Sequence, residues 1–138
     1  MRNLPVLLVN PDYAIERYMG RHFGRMGWVM PPMGLLYLAA ALERRGIGVA
    51  VYDAQVAERP LAEVLVEQRP EVIGVTCASA LVESTLAAAA LVKEHLPGST
   101  VVVGGPHPTV RPDDLLSDGT VDVAVRGEGL DTLVELVE

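Results

Sequence analysis

Cysteine, aromatic rings and positive charge are all scarce in this 138-residue chain. The single cysteine, Cys77, excludes an intramolecular disulfide framework and any metal site that needs several thiolates. Aromatic residues make up 4% of the chain, with one Phe and one Trp, so rings do not dominate the packing. Lys and Arg number 11 against 18 Asp and Glu, a formal net charge of −7 with a pI near 4.9. Nucleic-acid binding leaves a basic footprint, and none is visible. The densest basic pair, Arg44-Arg45, falls at the end of an expected helix, where cations suit the dipole. No apolar run approaches the ~20 residues of a membrane helix. Nor does a basic N-terminal region lead into an apolar stretch of the signal-peptide kind. The expectation is a cytoplasmic domain with neither a nucleic-acid nor a membrane partner.

What remains is apolar and aliphatic. Half the residues are hydrophobic, and Val, Leu, Ile and Ala are the usual filling of a parallel sheet covered on both faces. Leu4–Val9 reads as a buried first strand ended by Asn10-Pro11. Asp12–Met30 has no clean period and reads as a long loop, a length that usually signals function or disorder. Met33 opens a helix whose polar residues cluster at Glu43–Arg45, with Gly46 in the C′ position. Strands are expected at Ile47–Tyr52, Val72–Thr76, Thr100–Val103 and Val121–Val125. Helices are expected at Pro60–Arg69 and Leu81–Leu96, from Pro112 through Leu116, and from about Leu130. Alternating strands and helices imply right-handed crossovers. The prediction is one α/β domain over residues 1–138: a flavodoxin-like (Rossmann-like) five-stranded parallel sheet, order 2-1-3-4-5, with helices on both faces.

In such a sheet ligands bind outside the carboxyl ends of the strands, near the switch in strand order. The unusual residues gather there. Asn10-Pro11 follows strand one and Thr76-Cys77-Ala78-Ser79 follows strand three. Gly104-Gly105-Pro106-His107-Pro108-Thr109 follows strand four, and Arg126-Gly127-Glu128-Gly129 follows strand five. Small, polar, glycine-rich loops suit a large flat ligand, although turns need Gly and Pro in any case. Gly104-Gly105 lets backbone approach a ligand, and Pro106 and Pro108 are expected to hold His107 in an extended loop. Thr76 and Ser79 offer hydroxyls at the rim or cap the next helix. Glu128 is placed to accept backbone N–H groups at the last helix. Cys77 suits a small buried hydrophobe as well as a reactive thiol. Several common ligands are excluded. There is no G-x-G-x-x-G after strand one and no G-x-x-x-x-G-K-[ST]. Thr76 and Arg126 stand where a phospho-acceptor receiver would carry Asp and Lys. Asn10-Pro11-Asp12 replaces the Ser/Thr-rich phosphate loop of a flavodoxin.

The segment Pro31-Pro32-Met33-Gly34-Leu35-Leu36-Tyr37-Leu38-Ala39-Ala40 resembles the "PPLGLLYLAA" entry to the first helix in the N-terminal domain of cobalamin-dependent radical S-adenosylmethionine enzymes. Val72–Thr76 is similar to that domain's third strand. Val103–Thr109 and Val121–Gly129 resemble its "GGPHPT" and "vD.vv.GEGE" segments. Except for Asp12–Met30, the likeness covers nearly the whole chain, in order.

The resemblance implies a corrinoid held across the strand ends, its dimethylbenzimidazole tail inserted beside the sheet. Other cobalamin domains carry Asp-x-His-x-x-Gly after strand one, and the histidine ligates cobalt. Asn10-Pro11-Asp12-Tyr13-Ala14-Ile15 has no histidine, which implies base-off cobalamin without a ligand from that loop. The Ser-x-Leu segment of those domains falls by strand end on Thr76-Cys77-Ala78, although a literal Ser79-Ala80-Leu81 follows. The implied contacts are Asn10, Pro32, Met33, Gly34, Leu35, Thr76, Cys77, Ala78, Ser79, Gly104, Gly105, Pro106, His107, Gly127, Glu128 and Gly129, with no catalytic residue and no metal ligand. One cysteine cannot hold the 4Fe–4S cluster of radical chemistry. The resemblance therefore implies a binding domain from a longer enzyme, whose following radical S-adenosylmethionine domain would add the cluster and S-adenosylmethionine. Two alternatives stay open: a small-metabolite enzyme acting through His107 and Glu128, and a flavodoxin-like protein-interaction domain.

Overall fold

The computed structural model describes residues 5–13, 20 and 30–138. Five parallel strands form one sheet in the order β2-β1-β3-β4-β5, as the alternating pattern predicts. They are β1 (Val6–Asn10), β2 (Val49–Asp53), β3 (Val72–Thr76), β4 (Thr100–Gly104) and β5 (Val123–Ala124). The helices are α1 (Met33–Arg44), α2 (Leu61–Gln68), α3 (Val82–His95), α4 (Pro106–Val110), α5 (Asp113–Leu116) and α6 (Leu130–Val137), with a 3-10 turn at Ser79–Leu81 before α3. None of the described helices is long and apolar enough to cross a membrane. Leu4 and most of the Asp12–Met30 loop lie outside the described residues.

The pleat sends alternate residues to opposite faces, and each face has its own core. Leu7, Val9, Ile73, Val75, Val101 and Val103 pack with Leu65 of α2, Ala89 and Val92 of α3, and Leu115. The alanine run of α3 places Ala88 and Ala89 against the core with no bulk between helix and strands. On the opposite face Val6 and Leu8 meet Leu35 and Leu42 of α1 and Leu133 and Val134 of α6. α1 ends as expected, with Gly46 at φ 75°. The Gly46 N–H bonds Glu43 O at 2.9 Å and the Ile47 N–H bonds Leu42 O at 3.0 Å, a Schellman closure.

Two local expectations change. β5 spans two residues rather than Val121–Val125, because Asp122 intervenes with its side chain. Its carboxylate, not a strand carbonyl, accepts the Val101 N–H at 2.7 Å. Backbone bonds from Asp122 N to Val101 O (3.0 Å) and from Val125 N to Val103 O (2.8 Å) continue the contact on either side. The segment around His107 is helical rather than extended. Pro106 takes the first helical position, where its fixed φ fits, and Pro108 still falls within the first turn. Those first N–H groups have no intrahelical partner, so two prolines cost α4 no hydrogen bond.

Asp122 also pairs with Lys93 Nζ at 2.7 Å. Partial burial pushes its carboxyl pKa up, but the Lys93 hydrogen bond, the Val101 N–H and the ammonium charge outweigh that and hold it below the ordinary value. A carboxyl lowered on folding stabilises above its unfolded pKa, and the contribution is lost as pH falls through the folded one. Asp122→Asn should therefore unfold at lower urea than the parent at neutral pH. The gap should close below about pH 4; a gap constant with pH would remove the ion pair from the account.

Candidate functional site

α1 and α6 pack together on the second face of the sheet, and both also line a cavity over it. Leu8, Gly74 and Val102 form one row across β1, β3 and β4. Gly74 contributes no side chain to it, and Leu8 leans into the space; a Cβ on Gly74 would come within 2.8 Å of Leu8 Cδ2. Above this row opens a cavity of about 730 Å³, within the range of about 300–1,000 Å³ usual for ligand sites. Leu35 and Leu38 of α1 and Leu133 of α6 line it. Toward the strand ends the lining becomes Thr76, Gly104, Gly105, Pro106, Thr109, Val110 and Gly127–Leu130. The cavity thus opens where an α/β sheet presents its ligands.

Backbone contacts fix the loops at this end. The Cys77 N–H donates to Gly104 O at 2.8 Å and the His107 N–H donates to Cys77 O at 3.1 Å. Gly105 has φ 115°, and a Cβ there would lie 2.8 Å from Cys77 O. Its glycine is required by the neighbouring chain, before any ligand enters. Thr109 ties two glycine loops together: its hydroxyl donates to Gly105 O at 2.9 Å and accepts the Gly127 N–H at 3.0 Å. The Arg126 guanidinium reaches Thr109 O at 3.3 Å from the same loop.

His107 is buried, its Nδ1 3.0 Å from Ser79 Oγ and its Nε2 3.1 Å from Asp114 Oδ2. Arg111 closes on the same carboxylate, 2.9 Å from Nε to Oδ2. A hydroxyl, imidazole and carboxylate in line is also the arrangement of a serine nucleophile. Here, however, the carboxylate is shared with Arg111, and neither Ser79 nor His107 lines the cavity. The group works as a tie between the β3 loop and the α4–α5 segment.

The structure brings Gly34, Leu35, Thr76, Gly104, Gly105, Pro106, Gly127, Glu128 and Gly129 to the cavity wall. Asn10, Pro32, Met33, Cys77, Ala78, Ser79 and His107 stand outside it. Asn10 is fully buried; its Nδ2 donates to Asp53 Oδ1 at 3.0 Å, and its own Oδ1 has no partner among the described residues. Among the described helices Thr76 and Ser79 cap none, and no side-chain capping bond is made at the start of α6. Glu128 lines the cavity and His107 does not. Sequence reading missed Leu8, Gly74, Leu38, Val102, Thr109 and Leu133. The one available signal was Gly74, a lone glycine inside an apolar strand, which marks a close approach.

Residues 23–137 match the family model for the B12 binding domain. An uncharacterized methyltransferase of Pyrococcus horikoshii is 30% identical over all of this chain and 30% of its own length. The anaerobic magnesium-protoporphyrin IX monomethyl ester cyclase of Cereibacter sphaeroides is 30% identical over 96% of this chain and 22% of its own. The chain thus spans less than a third of either relative. Among solved structures, a response regulator from Thermotoga maritima superposes with TM-score 0.57 and 20% identity, over 96% of this chain and 93% of its own. A CheY-like protein from Pseudomonas aeruginosa gives 0.60 at 14% identity, over 96% and 98%. These two likenesses are of fold alone.

Burial pushes the Cys77 thiol pKa up, against a smaller opposing effect from Thr85. Little thiolate forms at neutral pH, so alkylation by iodoacetamide should be slow in the folded chain and fast in urea. Fast alkylation of the native protein would contradict its burial. Thr109→Val removes the hydroxyl that joins the Gly105 and Gly127 loops. It should cost about 1 kcal/mol and speed hydrogen exchange at the Gly127 amide, while Thr109→Ser keeps both. Unchanged exchange in the valine variant would mean that the clasp holds nothing.

Proposed function

The chain belongs to the B12-binding domain family, and we propose that it holds cobalamin base-off over the carboxyl ends of its strands, with the nucleotide tail in the cavity between α1 and α6. The observation that carries this reading is the cavity above Gly74, whose lining is mostly apolar and runs from the Leu8–Gly74–Val102 row to the loops at the strand ends. Its walls fit the group. Leu35, Leu38, Val102 and Leu133 supply apolar surface for a heterocycle, while Gly34 and Gly104 leave the walls free of side chains. Thr76 and Glu128 supply polar atoms toward the opening. We assign these last two, with Gly104, Gly105, Gly127 and Gly129, as the principal contacts. Of the Pro32–Leu35 turn, Gly34 and Leu35 join them in the wall; Asn10, buried against Asp53, and Ser79, bonded to His107, serve the support behind it.

Base-off binding has two supports. A tail lying in the cavity takes its base away from the metal. Among the described residues, the strand-one end offers Asn10 rather than histidine, and His107 has both ring nitrogens engaged. The bound corrinoid would supply group-carrier chemistry at cobalt, and the role of this chain is to bind, orient and shield. We take the parent protein to be a radical S-adenosylmethionine enzyme of methyltransferase or cyclase type. The motif resemblance and the greater length of the relatives support that reading. The 4Fe–4S cluster and S-adenosylmethionine would then belong to a domain this chain does not include. The alternative enzyme built on His107 and Glu128 is disfavoured, because the two residues serve different parts of the structure.

The purified chain mixed with hydroxocobalamin and freed of excess ligand should keep a visible corrinoid spectrum of the base-off form. Gly34 lines the cavity, and a Cβ there would meet nothing within 4 Å among the described residues. Gly34→Phe should therefore add bulk at the cavity wall without loss of thermal stability, since the added Cβ displaces no described atom. Cobalamin affinity should fall about tenfold or more, the scale on which steric exclusion discriminates. Full retention of cobalamin by the stable Gly34→Phe variant would place the tail elsewhere.

A further inference from the structure

We infer that the cavity selects corrinoids whose tail ends in an apolar, benzimidazole-type base over those ending in a purine, an inference that rests on the cobalamin reading above. The inner end of the cavity is the row Leu8, Gly74 and Val102, three residues on adjacent paired strands. Their backbone groups belong to the sheet, and their side chains offer no hydrogen bond. Leu35, Leu38 and Leu133 complete that end with hydrocarbon. The polar lining lies elsewhere. Thr76 and Glu128 stand at strand and loop ends, the Thr109 hydroxyl is taken by Gly105 and Gly127, and Tyr37 is 62% exposed.

A benzimidazole carries one ring nitrogen free to accept a hydrogen bond when displaced from cobalt. Adenine carries that nitrogen, two more ring acceptors and an exocyclic amine. Inside this hydrocarbon end the additional groups would lose water and find no partner among the described residues. One such unpaired buried group weakens binding about tenfold or more. Depth is set by Gly74. A Cβ there would press on Leu8 Cδ2 and push that side chain toward the bound base.

The test measures the affinity of the purified chain for three corrinoids: cobalamin, its adenine-tailed counterpart, and cobinamide, which has no base. Cobalamin should bind about tenfold or more tightly than the adenine form, and cobinamide no more tightly than the adenine form. Gly74→Ala should weaken cobalamin and leave cobinamide unchanged, with circular dichroism confirming the fold. Val102→Thr, nearly isosteric, places a hydroxyl at the inner end and should narrow the preference for cobalamin whether or not Gly74→Ala folds. Equal affinity for cobalamin and its adenine counterpart overturns the inference and leaves cobalamin binding intact. Equal affinity for cobalamin and cobinamide overturns it too, because the base would then not enter the cavity. Failure to retain any of the three overturns the cobalamin reading itself.

Discussion

The missing side chain at Gly74 is the constraint around which the second face of the sheet is arranged. A central strand buried on both faces normally fills both with aliphatic side chains. On the α2–α3 face β3 does so through Ile73 and Val75, which pack against Ala89 and Val92. On the other face the row Leu8–Gly74–Val102 has a gap at its centre, only partly covered by Leu8. α1 and α6 pack on either side through Leu42 and Leu133. A larger residue at position 74 would displace Leu8 into the space between them. One glycine thus couples strand packing to the depth of the cavity.

The wider end of that cavity is held by hydrogen bonds among loops, not by hydrophobic packing. Cys77 and Gly105 meet backbone to backbone, and Thr109 joins the Gly105 and Gly127 loops. Ser79, His107, Asp114 and Arg111 fasten the α4–α5 segment to the β3 loop. Preorganised loops lose less freedom when a ligand arrives, which favours affinity without adding contacts. The motif read in the sequence as Gly-Gly-Pro-His-Pro-Thr therefore has two uses. Gly104, Gly105, Pro106 and Thr109 form cavity wall, whereas His107 and Pro108 are buried in the support behind it.

Strand order and the covering of both faces by helices were legible because apolar runs and their punctuation repeat along the chain. Local departures came from side chains that replaced backbone roles. Asp122 took over a ladder acceptor and shortened β5, and paired prolines proved compatible with a first helical turn. At the site, the strand-end loops were legible as unusual residues in the expected places. The hydrocarbon end was not, because Leu8, Leu38, Val102 and Leu133 look the same in sequence as core residues. Only the gap opposite them, produced by two helices and one glycine in three dimensions, separates a cavity wall from a core.

The same reasoning sorts the glycines that a sequence shows as equivalent. At Gly105 a Cβ would meet the Cys77 backbone, so the residue serves the fold even where it lines the cavity. At Gly74 it would meet the end of a leucine, which is able to move, so the penalty falls on cavity depth. At Gly34, exposed in the first turn of α1, it would meet nothing within 4 Å among the described residues. Of the three, Gly34 is the position where a side chain tests cavity space at least cost to the fold, whereas Gly105, from the Gly-Gly pair that drew attention in the sequence, is held by the fold itself.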